Sequence, residues 1–366
     1  MMSGTRCNGS IPATIEAITA PWLASRIAPD HSLNGFSTER IGTGQMAMNV
    51  RITLDWAAPD PDSSAGALPQ TVVLKLPSDD PISKATGVEH GAYTKEVRFY
   101  RELAPATKAR TARCYAIEDD PASGDFVLVM EDLAPGQVGD QLAGCSVAQA
   151  ELAVEVAVKL HASWWDHPKL GEIAEWGGGP PDSERIAMLE MLWSLAWPQF
   201  LERQEDNFTA DQRATTEEFG RRLGSWVSPQ PGALTVVHGD FRVDNMLFGP
   251  DWMVPVDWQT FAVGTGINDI GYFLGASLLP DVRAVHEQRL VRQWYDGMRA
   301  AVPANAQFPD WPTAWAQYRR ASFTGLFMAV VASFLTVRTE RGDEMFWAMA
   351  SRHLAQVAHL DALSLV

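Results

Sequence analysis

Apolar positions change period once along this chain, near residue 131. Before that point they alternate. Val50, Ile52 and Leu54 interleave with Arg51, Thr53 and Asp55, a period of two that predicts strands within 39–56, on either side of residues 42–49. Residues 71–76 form a further short run rich in β-branched side chains, and two more strands are expected at 112–117 and 126–130. Two helices are expected in this half. One lies within 10–27, where Ile15, Ile18, Trp22 and Leu23 fall on one side, and the other over 88–103. Residues 57–69, dense in Pro, Asp, Ser and Ala, read as a surface loop, and a polar loop is expected after the strand at 71–76.

Beyond residue 131 the spacing becomes helical. Leu152, Val156 and Leu160 recur every fourth position, and Ser146 with Gln149 has the spacing of a capping box ahead of them. Residues 177–181, three glycines and two prolines, are a hard break. Helices are expected again at 186–201 and 210–223, followed by a small β island at 236–258 and four further helices. The apolar run 323–337 is interrupted by Thr324, Gly325, Ser333 and Thr336 and reads as a buried helix, too short for a membrane span. The pattern predicts an α+β fold of two lobes, β-rich over 1–131 and mainly helical over 132–366.

Composition acts mostly by exclusion. With 366 residues, 46% hydrophobic and 20% charged, the chain is long enough for two lobes with a large core. A net charge of −16 argues against nucleic acid and anionic membranes as partners. Cys7, Cys114 and Cys145 have neither zinc spacing nor the look of a disulfide framework, and no basic stretch precedes an apolar run at the N-terminus. A cytoplasmic protein is expected.

The candidate chemistry lies in the β island. His238-Gly239-Asp240 is followed after four residues by Asn245, and twelve residues later an apolar run ends in Asp257-Trp258-Gln259. Phosphoryl transfer from a nucleotide needs those parts in that order: a carboxylate beside the attacking hydroxyl, then an amide oxygen and a second carboxylate for Mg²⁺. The protein-kinase form is His-Arg-Asp, four residues, Asn, then Asp-Phe-Gly. Here Gly239 replaces the Arg, and Asp257-Trp258-Gln259 replaces Asp-Phe-Gly. This variant resembles the aminoglycoside phosphotransferase and choline kinase-like superfamily, and within it the bacterial branch related to ecdysteroid kinases. The resemblance spans roughly residues 36–275. It implies a two-lobed protein-kinase-like fold, ATP and Mg²⁺ as cofactors, and a small-molecule acceptor. Asp240 would orient the acceptor hydroxyl, and Asn245 and Asp257 would ligate the metal. His238 is expected to brace the loop by a backbone hydrogen bond. Arg242 and Asp244 are expected to be solvated or to brace the loop, with contact from Arg242 to the transferred phosphate as an alternative. Asp269 is expected to cap a helix and brace the catalytic loop.

The N-terminal half supplies matching parts. Gly42 and Gly44 lie between two strand patterns, where glycine lets the backbone approach phosphate oxygens. Gln45, Ala47 and Asn49 are further candidates for nucleotide contact by the same resemblance. Lys75 shares a strand face with Val73, which is costly for a charge without a partner, and Glu96 in the following helix is the natural one. The resemblance implies a Lys75–Glu96 pair that aims the ammonium at the α- and β-phosphates, and a hinge at which Glu131 and Leu133 offer main-chain groups to adenine. The acceptor is expected to be a neutral or lipophilic alcohol, in a pocket walled by some of Trp164, Trp193, Met328 and Phe334. An aminoglycoside or choline-like cation is the competing acceptor. A catalytically silent nucleotide-binding module is the competing class, opposed by the presence together of Lys75, Glu96, Asp240, Asn245 and Asp257.

Overall fold

The computed structural model describes residues 11–42, 46–58 and 67–366. It divides the chain into two compact units: Met1–Pro105 with Ala112–Ala134, and Ala106–Thr111 with Pro135–Val366.

The first unit is built on a five-stranded antiparallel sheet in the order β1-β2-β3-β5-β4. Its strands are β1 (Leu33–Ile41), β2 (Ala47–Trp56), β3 (Thr71–Pro77), β4 (Cys114–Asp120) and β5 (Asp125–Glu131). One face carries the core expected from the alternation. Val50, Ile52, Leu54, Val72, Leu74, Leu76, Val127 and Val129 are buried with Ile18 and Leu23 from the N-terminal segment. That segment begins later than its periodicity suggests. After one 3₁₀ turn at Ile15–Ala17, helix α1 covers only Ala20–Ile27. Thr19 caps it by accepting from Trp22 N, and Pro21 lies in the first turn, where its missing N–H costs nothing.

The helix expected over 88–103 is two helices. Part of the expected polar loop is α2 (Pro81–Glu89), started by the Asp80 cap and Pro81, and α3 (Ala92–Arg98) follows. Gly91 separates them at φ 64°, a left-handed conformation that ends one helix and opens the next. After Arg98, α3 widens into a π turn at Phe99–Leu103.

The second unit is mainly helical. It opens with β6 (Gln137–Val138) and α4 (Val147–Trp164), whose Ser146–Gln149 capping box forms as its spacing suggests. Helices α5 (Leu170–Gly177), α6 (Ser183–Gln204), α7 (Ala210–Arg221) and α8 (Leu223–Val227) follow, and α5 ends at the glycine break. The β island consists of β7 (Thr235–Val237), β8 (Met246–Phe248), β9 (Met253–Pro255) and β10 (Ala262–Gly264). β7 pairs with β10, and β6, β8 and β9 form a three-stranded sheet. Five α-helices then follow where four are expected: α9 (Ile267–Ser277), α10 (Pro280–Ala301), α11 (Trp311–Ala321), α12 (Thr324–Leu335) and α13 (Glu340–His359). The apolar run is largely α12, and no helix among the described residues is long and apolar enough to cross a membrane.

The sheet core yields a direct stability test. Leu74 is fully buried in the central strand β3. Leu74→Ala should cost about 2–5 kcal/mol through lost transfer energy and the cavity left behind. Equilibrium denaturation of the two proteins measures this.

Candidate active site

In the first unit, β3 pairs Lys75 with Asn49 on one side and Leu128 on the other. Lys75 is only 5% exposed, and its ammonium lies 2.8 Å from Glu96 Oε1 and 2.6 Å from Oε2. Glu96 projects from α3 and is 1% exposed. Two opposite charges at this depth each need the other, because removing one leaves a buried charge uncompensated. Tyr93, three residues earlier on α3, donates to Met46 O at 2.5 Å and accepts from Ser78 N at 3.3 Å. The helix that carries Glu96 therefore also fixes the start of β2.

Gly42 has φ 74°, the left-handed region that favours glycine. Gly44 and Gln45, the other loop candidates, lie outside the described residues. Ala47 is buried at the start of β2, and Asn49 is half-buried. At the proposed hinge, Glu131 ends β5 and its carboxylate accepts from Arg113 N at 3.2 Å, while Leu133 is buried. Between them, Asp132 receives Arg51 Nε at 2.7 Å. Burial would raise the Asp132 carboxyl, but the hydrogen bonds from Arg51 and Ala134 N outweigh it and hold the group below its usual range.

In the second unit, β7 delivers the chain into the His-Gly-Asp turn. Asp269, in the first turn of α9, accepts from His238 N at 2.7 Å and Gly239 N at 3.1 Å. His161 of α4 completes the set. Its Nδ1 accepts from Trp294 Nε1 at 3.0 Å, so Nε2 carries the proton and donates to Asp269 at 3.1 Å. Asp269 thus braces the catalytic loop as expected but caps no helix, since its carboxylate points back to β7. His238 also braces: its Nε2 lies 3.0 Å from Val256 O, and its ring packs 4.5 Å from that of Trp258. Gly239 explains why arginine is absent here. Its φ is 81°, and a Cβ would collide with Thr260 O.

Asp240 sits at the centre, with its side chain 18% exposed. Tyr272 of α9 donates to Oδ1 at 2.7 Å and Asn245 Nδ2 donates to Oδ2 at 2.7 Å. Arg242 Nε bridges both oxygens at 3.0 and 3.1 Å. Burial would raise the Asp240 carboxyl, yet the Arg242 guanidinium and the Tyr272 and Asn245 hydrogen bonds hold it below the usual carboxylate range. Arg242 is therefore not a solvated side chain. It also pairs with Asp244 at 2.8 Å, and Asp244 in turn accepts from Gln141 N at 2.7 Å. Tyr272, Gln141 and His161 are invisible in the motif, because each reaches the loop from a distant segment.

The residues proposed for Mg²⁺ suit a hard cation. The Asn245 amide nitrogen is spent on Asp240 Oδ2 and on Asp240 O at 3.0 Å, so its oxygen is the group it could offer a cation. Main-chain pairing of Val256 N with Asn245 O at 2.9 Å brings Asp257 beside it. No group of three or more His, Cys, Asp or Glu side chains able to hold a metal occurs among the described residues. An amide oxygen and one carboxylate match a cation that keeps its waters and phosphate oxygens rather than a full protein cage.

Of the expected acceptor walls, two are core residues and two are half-buried on α12. Trp164 is buried and donates to Thr107 Oγ1 at 2.9 Å. Trp193 is buried in an aromatic cluster with Trp197, Phe219 and Phe327. Met328 and Phe334 are only half-buried on α12. The apolar run of α12 is largely core, whereas α6 buries Trp193, Ala196 and Phe200 and exposes Met188, Met191 and Leu195, so the lack of acids in these stretches says nothing of the acceptor. A groove of about 530 Å³ opens instead along the start of α13, lined in part by Arg203, Arg338, Glu340, Asp343, Glu344 and Trp347. Met345, in the same turn, places Sδ 3.7 Å from Arg242 Nη1, so this helix end adjoins the catalytic loop. Cys114 and Cys145 are free thiols pushed up to about 12 by burial and are poor nucleophiles.

The comparisons with known proteins agree with this geometry. The profile of the phosphotransferase enzyme family (APH) matches residues 64–324, more than half of the chain. The chain belongs to that family. Membership makes it a phosphotransferase. Similar solved structures include wild-type aminoglycoside 2′-phosphotransferase-IIIa in complex with GDP, 16% identical, with TM-score 0.55 over 91% of this chain and 97% of that one. Another is choline kinase from Cryptosporidium parvum Iowa II, 9% identical, with TM-score 0.52 over 90% and 89% of the two chains. At these identities the likeness establishes the kinase-like fold. Acyl-CoA dehydrogenase family member 10 of Mus musculus is 31% identical over 90 residues, which is 22% of this chain and only 8% of the mouse protein.

Gly239→Ala tests the turn. It combines a left-handed residue, costing about 1–2 kcal/mol, with a clash against Thr260 O. Turnover should fall at least tenfold and the melting temperature should drop, as read by MgATP consumption and thermal unfolding.

Proposed function

We propose that the protein transfers the γ-phosphoryl group of ATP to the hydroxyl of a small alcohol, in the cytoplasm, with Asp240 orienting that hydroxyl. The observation that carries this reading is the Asp240 carboxylate, ionised, held by Tyr272, Asn245 and Arg242, and still partly exposed. A carboxylate with a depressed pKa is a weak base. That is sufficient, because the transition state of phosphoryl transfer is loose and the hydroxyl proton leaves late. The acceptor oxygen bonds to the γ-phosphorus as the bond to the β–γ bridging oxygen breaks, and ADP departs. Asp240 accepts a hydrogen bond from the hydroxyl, fixes its line of attack and takes up its proton as the new bond completes, passing it on to solvent.

The other groups divide the remaining work. Mg²⁺, when bound, neutralises charge on the phosphate oxygens. Asn245 would offer it an amide oxygen and Asp257 a carboxylate. Lys75, oriented by Glu96, would address the α- and β-phosphates, Gly42 and the residues up to Asn49 the phosphate chain, and the Glu131 and Leu133 main chain the adenine.

For the acceptor, a neutral alcohol with an apolar part is the leading reading. The groove at α13 offers Trp347, while its Asp343 is already paired with Arg338 at 2.6 Å. Two arginines in the lining oppose a polycation, each of whose ammonium groups needs its own carboxylate. A singly charged, choline-like acceptor is the second reading, favoured by the exposed Glu340 and Glu344 beside Trp347.

Asp240→Asn should reduce MgATP turnover by about 10²–10⁴-fold while leaving nucleotide affinity within a few-fold. Near wild-type turnover would refute the role of Asp240. Asp257→Asn keeps a residue that tolerates the left-handed backbone and should remove the Mg²⁺ dependence of ATP binding in calorimetry. Unchanged Mg²⁺-dependent binding would refute the metal assignment. An ADP-release screen with dodecan-1-ol, cholesterol, choline and kanamycin addresses the acceptor. Turnover is expected with a lipophilic alcohol and to persist in Glu344→Gln. Turnover with kanamycin alone would overturn the acceptor reading.

A further inference from the structure

Each carboxylate oxygen offers about two lone-pair positions, four in all. On Asp240 all four are taken. Tyr272 Oη and Arg242 Nε reach Oδ1, and Asn245 Nδ2 and the same Arg242 Nε reach Oδ2. The donors are not equivalent. Tyr272 and Asn245 each hold one oxygen at 2.7 Å, whereas Arg242 divides one N–H between two oxygens at 3.0 and 3.1 Å. Arg242 also has a second anchor, Asp244 at 2.8 Å, and can leave Asp240 without losing its charge partner. An acceptor hydroxyl can therefore reach Asp240 only by taking the place of the shared, longer contact.

We propose that Tyr272 is a positioning residue for phosphoryl transfer: with Asn245 it fixes the rotation of the Asp240 carboxylate, and the edge spanned by Arg242 Nε is where the acceptor hydroxyl binds. Tyr272 suits the task because it cannot move. It is 1% exposed on α9, one turn after Asp269, so a single helix grips the loop at His238, Gly239 and Asp240. The neighbouring Gly271 packs so closely on α11 that a Cβ there would lie 2.6 Å from Ala321 Cβ. The Tyr272 ring lies 5.8 Å from that of His353 on α13. Its hydroxyl remains a donor at any working pH, because burial and the Asp240 charge raise its pKa well above the ordinary value. The alternative role is a core tyrosine whose hydroxyl takes the nearest acceptor.

The inference rests on the role given to Asp240, and hydrolysis of MgATP separates the two because water is then the acceptor. Tyr272→Phe keeps the ring and removes the donor. A hydrogen bond to a charged group is worth enough to lower kcat about ten- to a hundredfold. KM for MgATP should stay within about twofold of wild type, and the melting temperature should fall by a few degrees at most, because one lost donor to a buried charge costs only modest stability. A wild-type kcat in Tyr272→Phe beside an inactive Asp240→Asn would overturn this inference and leave the role of Asp240 standing. A variant that loses folding or nucleotide binding along with kcat would place Tyr272 in the scaffold and overturn it as well. Full activity in Asp240→Asn would overturn both.

Discussion

Asp269 is 2% exposed and accepts hydrogen bonds from two main-chain N–H groups and from the His161 ring. A carboxylate taken out of water costs several kcal/mol unless its lone pairs are satisfied, so this group must be fully bonded or the helical unit does not assemble correctly. The three donors come from segments far apart in sequence: α4, and the two residues that follow β7. Bonding them to α9 decides where the chain turns after Val237. Thr235 Oγ1 on His161 O at 2.7 Å and Thr260 Oγ1 on His238 O at 3.2 Å close the same region from either side. Asp240, the proposed catalytic aspartate, is thus positioned by a second, structural aspartate twenty-nine residues later.

The surroundings of Asp240 favour position over basicity. An enzyme that needed a strong base would bury this carboxylate against apolar side chains and raise its pKa. Here an arginine, a tyrosine and an asparagine lower it. That choice fits phosphoryl transfer, in which charge already resides on the phosphate and the nucleophile needs direction more than deprotonation. The Lys75–Glu96 pair in the sheet unit follows the same logic. Two buried charges 2.6–2.8 Å apart contribute little net stability, but they leave the ammonium no freedom of direction.

What could be read from sequence was what local pattern encodes. The α+β division, the sheet core of Val50, Ile52, Leu54 and Leu74, the Ser146 capping box and the order of the motif are all periodicities or short spacings. Lys75 and Glu96 were legible as a pair because a charge beside apolar strand residues demands a partner. The breaks were less legible. The helix expected over 88–103 ignored Gly91, whose positive φ splits it, and the loop before it concealed the Asp80-Pro81 start of α2. The acceptor walls were not legible for a different reason. The apolar run of α12 shows that a helix is buried, not which neighbour buries it, and that of α6 buries Trp193 among Trp197, Phe219 and Phe327 while leaving Met188, Met191 and Leu195 exposed. Arg242 looked like a loop cation because its two carboxylate partners are set by the fold of the turn.

Asp257 shows what the loop gives up for chemistry. It is one of three non-glycine residues with positive φ among the described residues, at φ 67° and ψ 69°. A left-handed residue with a Cβ costs about 1–2 kcal/mol, and glycine would remove that cost. Glycine would also remove the carboxylate proposed to join the Asn245 oxygen at the metal. The surrounding bonds keep the strained residue in place: Val256 is pinned on its N–H by Asn245 O and on its carbonyl by His238, while Trp258 is fully buried against the His238 ring. Strain of this kind persists only where the neighbours over-determine the backbone. His238 therefore braces the proposed metal residue as much as the proposed catalytic one. Its ring nitrogen holds Val256 O while its main-chain N–H is held by Asp269, so one residue transmits the anchoring of α9 to both Asp240 and Asp257.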